Sequence, residues 1–218
     1  MGKMLLDDRM EQDALSLLQT ALPNFGNNLL DRALTQNIMS ICHMLQGDFY
    51  NADICLKQSL LDETDSHSNS DKVHHRICNN YAVLCRLQGK YDESKAYLRQ
   101  MAGHSNLDET EMFLYHLNMA KTFIAENEMD SATLYLRQVE ALLPDMKIKR
   151  ESQISACGSL SQFAEWQGDI QKALRFKALM EELMSKGVGP KSRAKHLPHP
   201  KAIRLREPAK CNDPENHF

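Results

Sequence analysis

The 218-residue chain is predicted to be an all-α array of stacked helical hairpins, and three observations carry that expectation. Leu, Ala, Met, Gln, Glu and Lys dominate the composition, and strand formers are not clustered, a mixture of high helix propensity. The 7 prolines and 9 glycines are sparse before residue 186. A short turn-like string recurs at nearly even spacing, with helical apolar spacing on either side of it.

The string occurs as Gln46-Gly47-Asp48-Phe49, Gln88-Gly89-Lys90-Tyr91 and Gln167-Gly168-Asp169-Ile170. Glu126-Asn127-Glu128-Met129 fits between the last two, with Asn in place of Gly. Both residue types tolerate the left-handed conformation that ends a helix. The anchors Gly47, Gly89, Asn127 and Gly168 lie 42, 38 and 41 residues apart. Each therefore marks a helix, a tight turn and a second helix.

The elements follow in order. A lone helix is expected over 9–22, ended by Pro23. Hairpins follow over 29–46 with 49–62, 72–88 with 91–102, 109–126 with 129–143, and 147–167 with 170–185. The polar run 64–70 reads as a loop, and Pro144 closes the third hairpin. Asp108, with Glu111 three residues on, forms a capping-box pattern. Residues 1–185 make up the repeat domain on this reading. From 186 to 218 prolines return and no helical period survives, so this part is expected to be a flexible tail.

The second hairpin carries Asn80-Tyr81-Ala82, Gly89, Tyr91, Ser94 and Leu98. The third carries Asn118-Met119-Ala120, Ala132, Leu136 and Pro144. The first has Ser40, Gly47, Phe49, Ala52 and Leu56, and the fourth has Leu160-Ser161, Gly168, Ile170 and Ala173. This pattern resembles the tetratricopeptide repeat superfamily in a long-repeat variant of about 40 residues, as in kinesin light chains and related scaffolds. Small residues at Ser40, Ala82, Ala120 and Ser161, facing Ala52, Ser94, Ala132 and Ala173, allow close helix packing. Lys177 departs from the pattern, standing where a large apolar residue is usual.

The resemblance implies a right-handed superhelix whose first helices line a concave groove, and a protein-binding adaptor or scaffold rather than an enzyme. Register with the motif places Asn37, Ile41 and Met44 in that groove, then Arg76, Asn79, Asn80, Val83 and Arg86. Asn118, Lys121 and Ile124 follow, and Gln162, Glu165 and Trp166 complete it. Amides both donate to and accept from a main chain, and the cations favour an acidic protein or peptide. Asn80 and Asn118 carry an equally weighted structural reading, as bridges between adjacent helices. Trp166 reads as a contact hot spot on an open groove, although packing against a neighbouring helix or the tail is the commoner role. The carboxylate clamp of chaperone-binding relatives is absent, because Ile41 and Leu114 occupy two of its polar positions.

No phosphate loop, nucleophile elbow or zinc-protease string occurs. His74 and Cys78 stand one helical turn apart and read as core rather than as a metal site, so no catalytic residue, metal or cofactor is expected. No apolar run approaches the roughly 18 residues of a membrane span. The six cysteines, with no signal-like N-terminus, are expected to be reduced thiols of a cytoplasmic or nuclear protein. The tail holds eight Lys and Arg against three Asp and Glu, so a basic tail follows an acidic body. Nucleic-acid binding by that tail is a weaker alternative, and a structural subunit of a larger complex is the runner-up. A small-molecule ligand is not expected. Because the array starts with a second-type helix, that helix either caps the stack or follows a missing partner.

Overall fold

A computed structural model describes residues 8–66, 71–104, 106–144 and 147–186. The expected tail lies outside the described residues except for its first residue, Lys186. All the regular elements among the described residues are helical: α1 (Asp8–Ala21), α2 (Leu29–Leu45), α3 (Phe49–Asp65), α4 (Asp71–Leu87), α5 (Tyr91–His104), α6 (Glu109–Glu126), α7 (Met129–Leu142), α8 (Arg150–Trp166) and α9 (Ile170–Lys186). A single 3₁₀ turn, Leu22–Phe25, follows α1, with Pro23 at its start.

Four tight turns create the hairpins α2–α3, α4–α5, α6–α7 and α8–α9. Gly47, Gly89, Asn127 and Gly168 have φ of 76°, 75°, 67° and 78°. At each, the next residue's N–H returns to a carbonyl five positions back: Asp48 to His43 (2.9 Å), Lys90 to Cys85 (2.8 Å), Glu128 to Phe123 (2.8 Å) and Asp169 to Ala164 (2.9 Å). This is the Schellman closure, which satisfies carbonyls that the helix end would otherwise orphan. In two hairpins the same residue then starts the following helix. Asp48 Oδ1 accepts from the Asn51 N–H (3.1 Å), and Asp169 Oδ1 accepts from the Lys172 N–H (3.0 Å). The predicted capping box is complete at α6. Asp108 Oδ1 accepts from the Glu111 N–H and Glu111 Oε2 accepts from the Asp108 N–H, both at 2.9 Å.

The eight small positions are all buried. Ser94 Oγ donates to the Ala82 carbonyl (2.8 Å) and Ser161 Oγ to the Ala173 carbonyl (3.1 Å), stitching paired helices through side chains short enough to permit contact. Ser94→Ala keeps the volume but loses this buried bond, so urea denaturation is expected to show a loss of about 1 kcal/mol.

Consecutive first helices of the hairpins touch, α2 with α4, α4 with α6 and α6 with α8. The backbones of consecutive second helices stay farther apart, although Lys172 of α9 reaches Glu140 of α7 (2.8 Å). The chain is thus an α-solenoid of adjacent hairpins, and its α2–α4–α6–α8 layer is called the A layer below. One core cluster joins α2, α3 and α4, with the Tyr81 and Tyr97 rings stacked at 4.6 Å. A larger one runs from Phe113 to Phe176 and joins α6 to α9.

Three expectations change. The helix α3 continues to Asp65 through a run read partly as loop, because Asp62 is buried against Arg32 (3.4 Å) and Gln58 (3.1 Å). The helix α8 begins at Arg150, not 147, because Ile148 turns into the core ahead of an extended Lys149. Met44, expected on the groove, is buried with Ala33 and Tyr81. Lys177 is exposed and ion-paired with Glu165.

Candidate functional site: the exposed face of the A layer

Counting back from each turn anchor aligns the A helices. Two residues before it stand Leu45, Leu87, Ala125 and Trp166. Six before it stand Ile41, Val83, Lys121 and Gln162, and nine before it Ile38, Asn80, Asn118 and Ser159. These offsets follow helical spacing, so the three rows share one helix face. Leu45 (56%), Leu87 (45%), Trp166 (60%), Ile38 (47%) and Ile41 (38%) are exposed hydrophobics within those rows. The face is apolar on α2, amide and cationic on α4 and α6, and small and polar on α8 apart from Trp166.

The asparagines join helices to one another. Asn80 Nδ2 donates to Asn37 Oδ1 across α4 and α2 (2.9 Å), and Asn118 Nδ2 donates to Asn79 Oδ1 across α6 and α4 (2.7 Å). A longer contact, Asn79 Nδ2 to Asn80 Oδ1 (3.4 Å), closes the chain of amides. Of the two weighted roles for Asn80 and Asn118, the bridging one is visible in these bonds. Asn118 and Asn37 are buried, while Asn79 and Asn80 remain half-buried. Lys121 continues the stitching toward α8, donating from Nζ to Ser155 Oγ (2.6 Å).

Arg76, Gln162 and Trp166 are exposed. Trp166 leans on Phe163 with ring centroids 5.8 Å apart. Arg86 is half-buried, and burial depresses its pKa below the ordinary arginine value. Burial, with the neighbouring charge of Arg86 as a second cause, pushes Lys121 down to about 8. Glu165 is engaged with Lys177 rather than with either cation.

Sequence reasoning missed Ile38, Leu45 and Leu87. They carry the same apolar period as core residues, and only the anchor register separates them from buried neighbours such as Met39 and Leu84.

His74 is not free for a metal: its Nδ1 faces Glu63 (3.5 Å), its Nε2 faces Cys78 (3.4 Å) and its ring stacks on His104 at 4.2 Å. No cluster of three or more His, Cys, Asp or Glu among the described residues is arranged to hold a metal ion. The described cysteines are buried and in no disulfide, and burial raises Cys78 to about 12 and Cys85 and Cys157 to about 11. Thiols held protonated in this way are poor nucleophiles. No helix among the described residues is long and apolar enough to cross a membrane.

Set against models of known protein families and against curated proteins, the chain matches none of them. The tetratricopeptide resemblance therefore rests on the residues quoted for it.

Proposed function

We propose that this chain is a binding scaffold of the tetratricopeptide kind, a right-handed superhelical array whose A-layer face holds a segment of a partner protein. The supporting observation is the run of exposed hydrophobics in one register, Ile38, Ile41, Leu45, Leu87 and Trp166. Large apolar side chains left open on aligned positions of successive helices are poorly explained by folding alone, and such patches mark interaction surfaces. Trp166, fixed on a rigid helix and still open, is the natural anchor for affinity. The amide ladder beneath the face keeps α2, α4 and α6 in fixed relative positions, so a ligand would meet a preorganised surface. The work is binding, without catalysis or cofactor, within the cytoplasm or nucleus.

The test is site-specific photocrosslinking in cells, with the probe at Leu45 or Gln162 on the A layer, or at Leu134 on the opposite layer. A common protein crosslinked from Leu45 and Gln162, and lost at least about tenfold on Ile41→Glu, supports the groove. Crosslinks confined to Leu134 overturn it.

One observation favours a second reading, a subunit held on both faces by a larger assembly. Tyr50 (76%), Ile54 (45%) and Leu61 (57%) form an exposed apolar line on α3. The same experiment with a probe at Tyr50 reports on it.

A further inference from the structure

The placement of cations in the middle of the A layer is anomalous. Other sunken cations of this fold have carboxylates: Lys95 meets Asp92 (2.9 Å) and Glu126 (2.8 Å), and Arg32 meets Asp62 (3.4 Å). Arg86 and Lys121 do not. Among the described residues neither forms an ion pair, and Arg86 Nε is buried with no hydrogen-bond partner. The Lys121 ammonium has the Ser155 hydroxyl, which is neutral. The two charges are close enough for Arg86 to push on Lys121.

Burying one uncompensated cation is costly, and adding a like charge beside it raises the cost. A fold under no other demand would place a carboxylate here, as it does at Lys95, or an apolar residue. What is missing is a negative charge, and both side chains are only half-buried, so it can come from outside. Val83, Ile124 and Leu87 flank the pair at neighbouring register positions, so an anion arriving there leaves bulk water and meets a low effective dielectric. Charge-assisted bonds are strongest under those conditions. A guanidinium and an ammonium together offer donors to both oxygens of one carboxylate.

We infer that Arg86 and Lys121 form a receiving site for a carboxylate side chain, an Asp or Glu set among apolar residues in the partner segment. This rests on the groove reading and adds to it: the acidic residue sets the register, while its apolar neighbours meet Leu45 and Leu87. A neutral isostere leaves the pair uncompensated, so the site discriminates against Gln and Asn at that position.

The test uses the full chain and titrates Lys121 by NMR of its Cε–Nζ group. The probe is capped glutamate, with capped glutamine and inorganic phosphate as comparisons, each at about 20 mM so that millimolar binding is visible. Capped glutamate is expected to move the Lys121 midpoint from about 8 to about 9 or above, since an opposite charge favours the protonated amine. Capped glutamine is expected to leave it in place, and Arg86→Gln to abolish the response. No movement with glutamate, or equal movement with glutamine, overturns the site. A response to phosphate with none to glutamate overturns the carboxylate assignment. Ile41→Glu separates the two readings. If the groove reading alone fails, the glutamate response survives while the crosslinked protein is not found. If the anion site alone fails, the crosslinks remain and Lys121 does not move.

Discussion

Phe113→Ala is expected to lower the unfolding free energy by about 3–5 kcal/mol, the largest loss from any single truncation considered for this fold. Phe113 is fully buried (0%) and belongs to the cluster that includes Leu117 and Ala120 of α6, Leu136 and Val139 of α7, Leu160 of α8 and Phe176 of α9. It therefore belongs to a core shared by the third and fourth hairpins. In a repeat array, stability is approximately a sum of intrinsic hairpin terms and nearest-neighbour interface terms. A cavity at a shared position weakens an interface as well as a hairpin. Urea denaturation followed by circular dichroism is expected to shift to a lower midpoint and to broaden, with α6–α9 melting ahead of α2–α5. Leu134→Ala is the control. Its side chain is 62% exposed on α7, and its removal should stay within about 0.5 kcal/mol. A Phe113→Ala loss under about 1 kcal/mol, with an unbroadened transition, would show that the hairpins are not coupled through this ring.

What the sequence made legible was local. The turn anchors could be read because a left-handed residue is a chemical requirement of the Schellman closure, and Gly and Asn meet it wherever they stand. The capping box at Asp108 and Glu111 depends on residues three apart. The small positions were legible because close packing tolerates few alternatives there. The harder features are contacts across repeats. The Asn37–Asn80 bond spans 43 residues and the Asn79–Asn118 bond 39, and both depend on how far one hairpin slides and turns against the next. Hydrophobic spacing carries no information about that offset. The same limit explains Met44, which a one-helix register points to the groove and which α4 covers in the assembled array. It explains Arg86 and Lys121 as well. Both were placed on the groove from register, but their burial and the absence of an opposing carboxylate follow from the side chains that neighbouring helices bring alongside. The end of α3 was misread for a related reason. The run from Thr64 on reads as loop in sequence, yet α3 keeps Thr64 and Asp65 helical beyond the Asp62–Arg32 pair (3.4 Å).

Lys121→Met is expected to stabilise the free chain at pH 7 by about 2 kcal/mol, an unusual sign for a substitution in a repeat core. Lys121 is half-buried, and its ammonium titrates at about 8 in the folded chain, below the ordinary lysine value. An amine whose pKa is depressed by folding is destabilising in its charged form. Below about pH 8 the residue is protonated in both states and the full penalty is present. Between about pH 8 and 10.5 the unfolded chain holds a proton that the folded chain has released, so stability rises with pH across that window. The shift corresponds to about 3 kcal/mol in all, and the lost Ser155 bond offsets about 1 kcal/mol of the gain on substitution. Buried phenols and thiols work in the opposite direction at high pH. Tyr81 and Cys78 are raised by burial, so the folded chain keeps their protons longer than the unfolded one. The informative quantity is therefore the difference between the native and Lys121→Met stability curves. It should be flat below about pH 8 and close steadily above it. A flat difference at all pH values would mean that Lys121 is solvated and carries no penalty. A closing difference would mean that the fold retains a charge it is more stable without, as expected of a cation held in place for an anion that another molecule supplies.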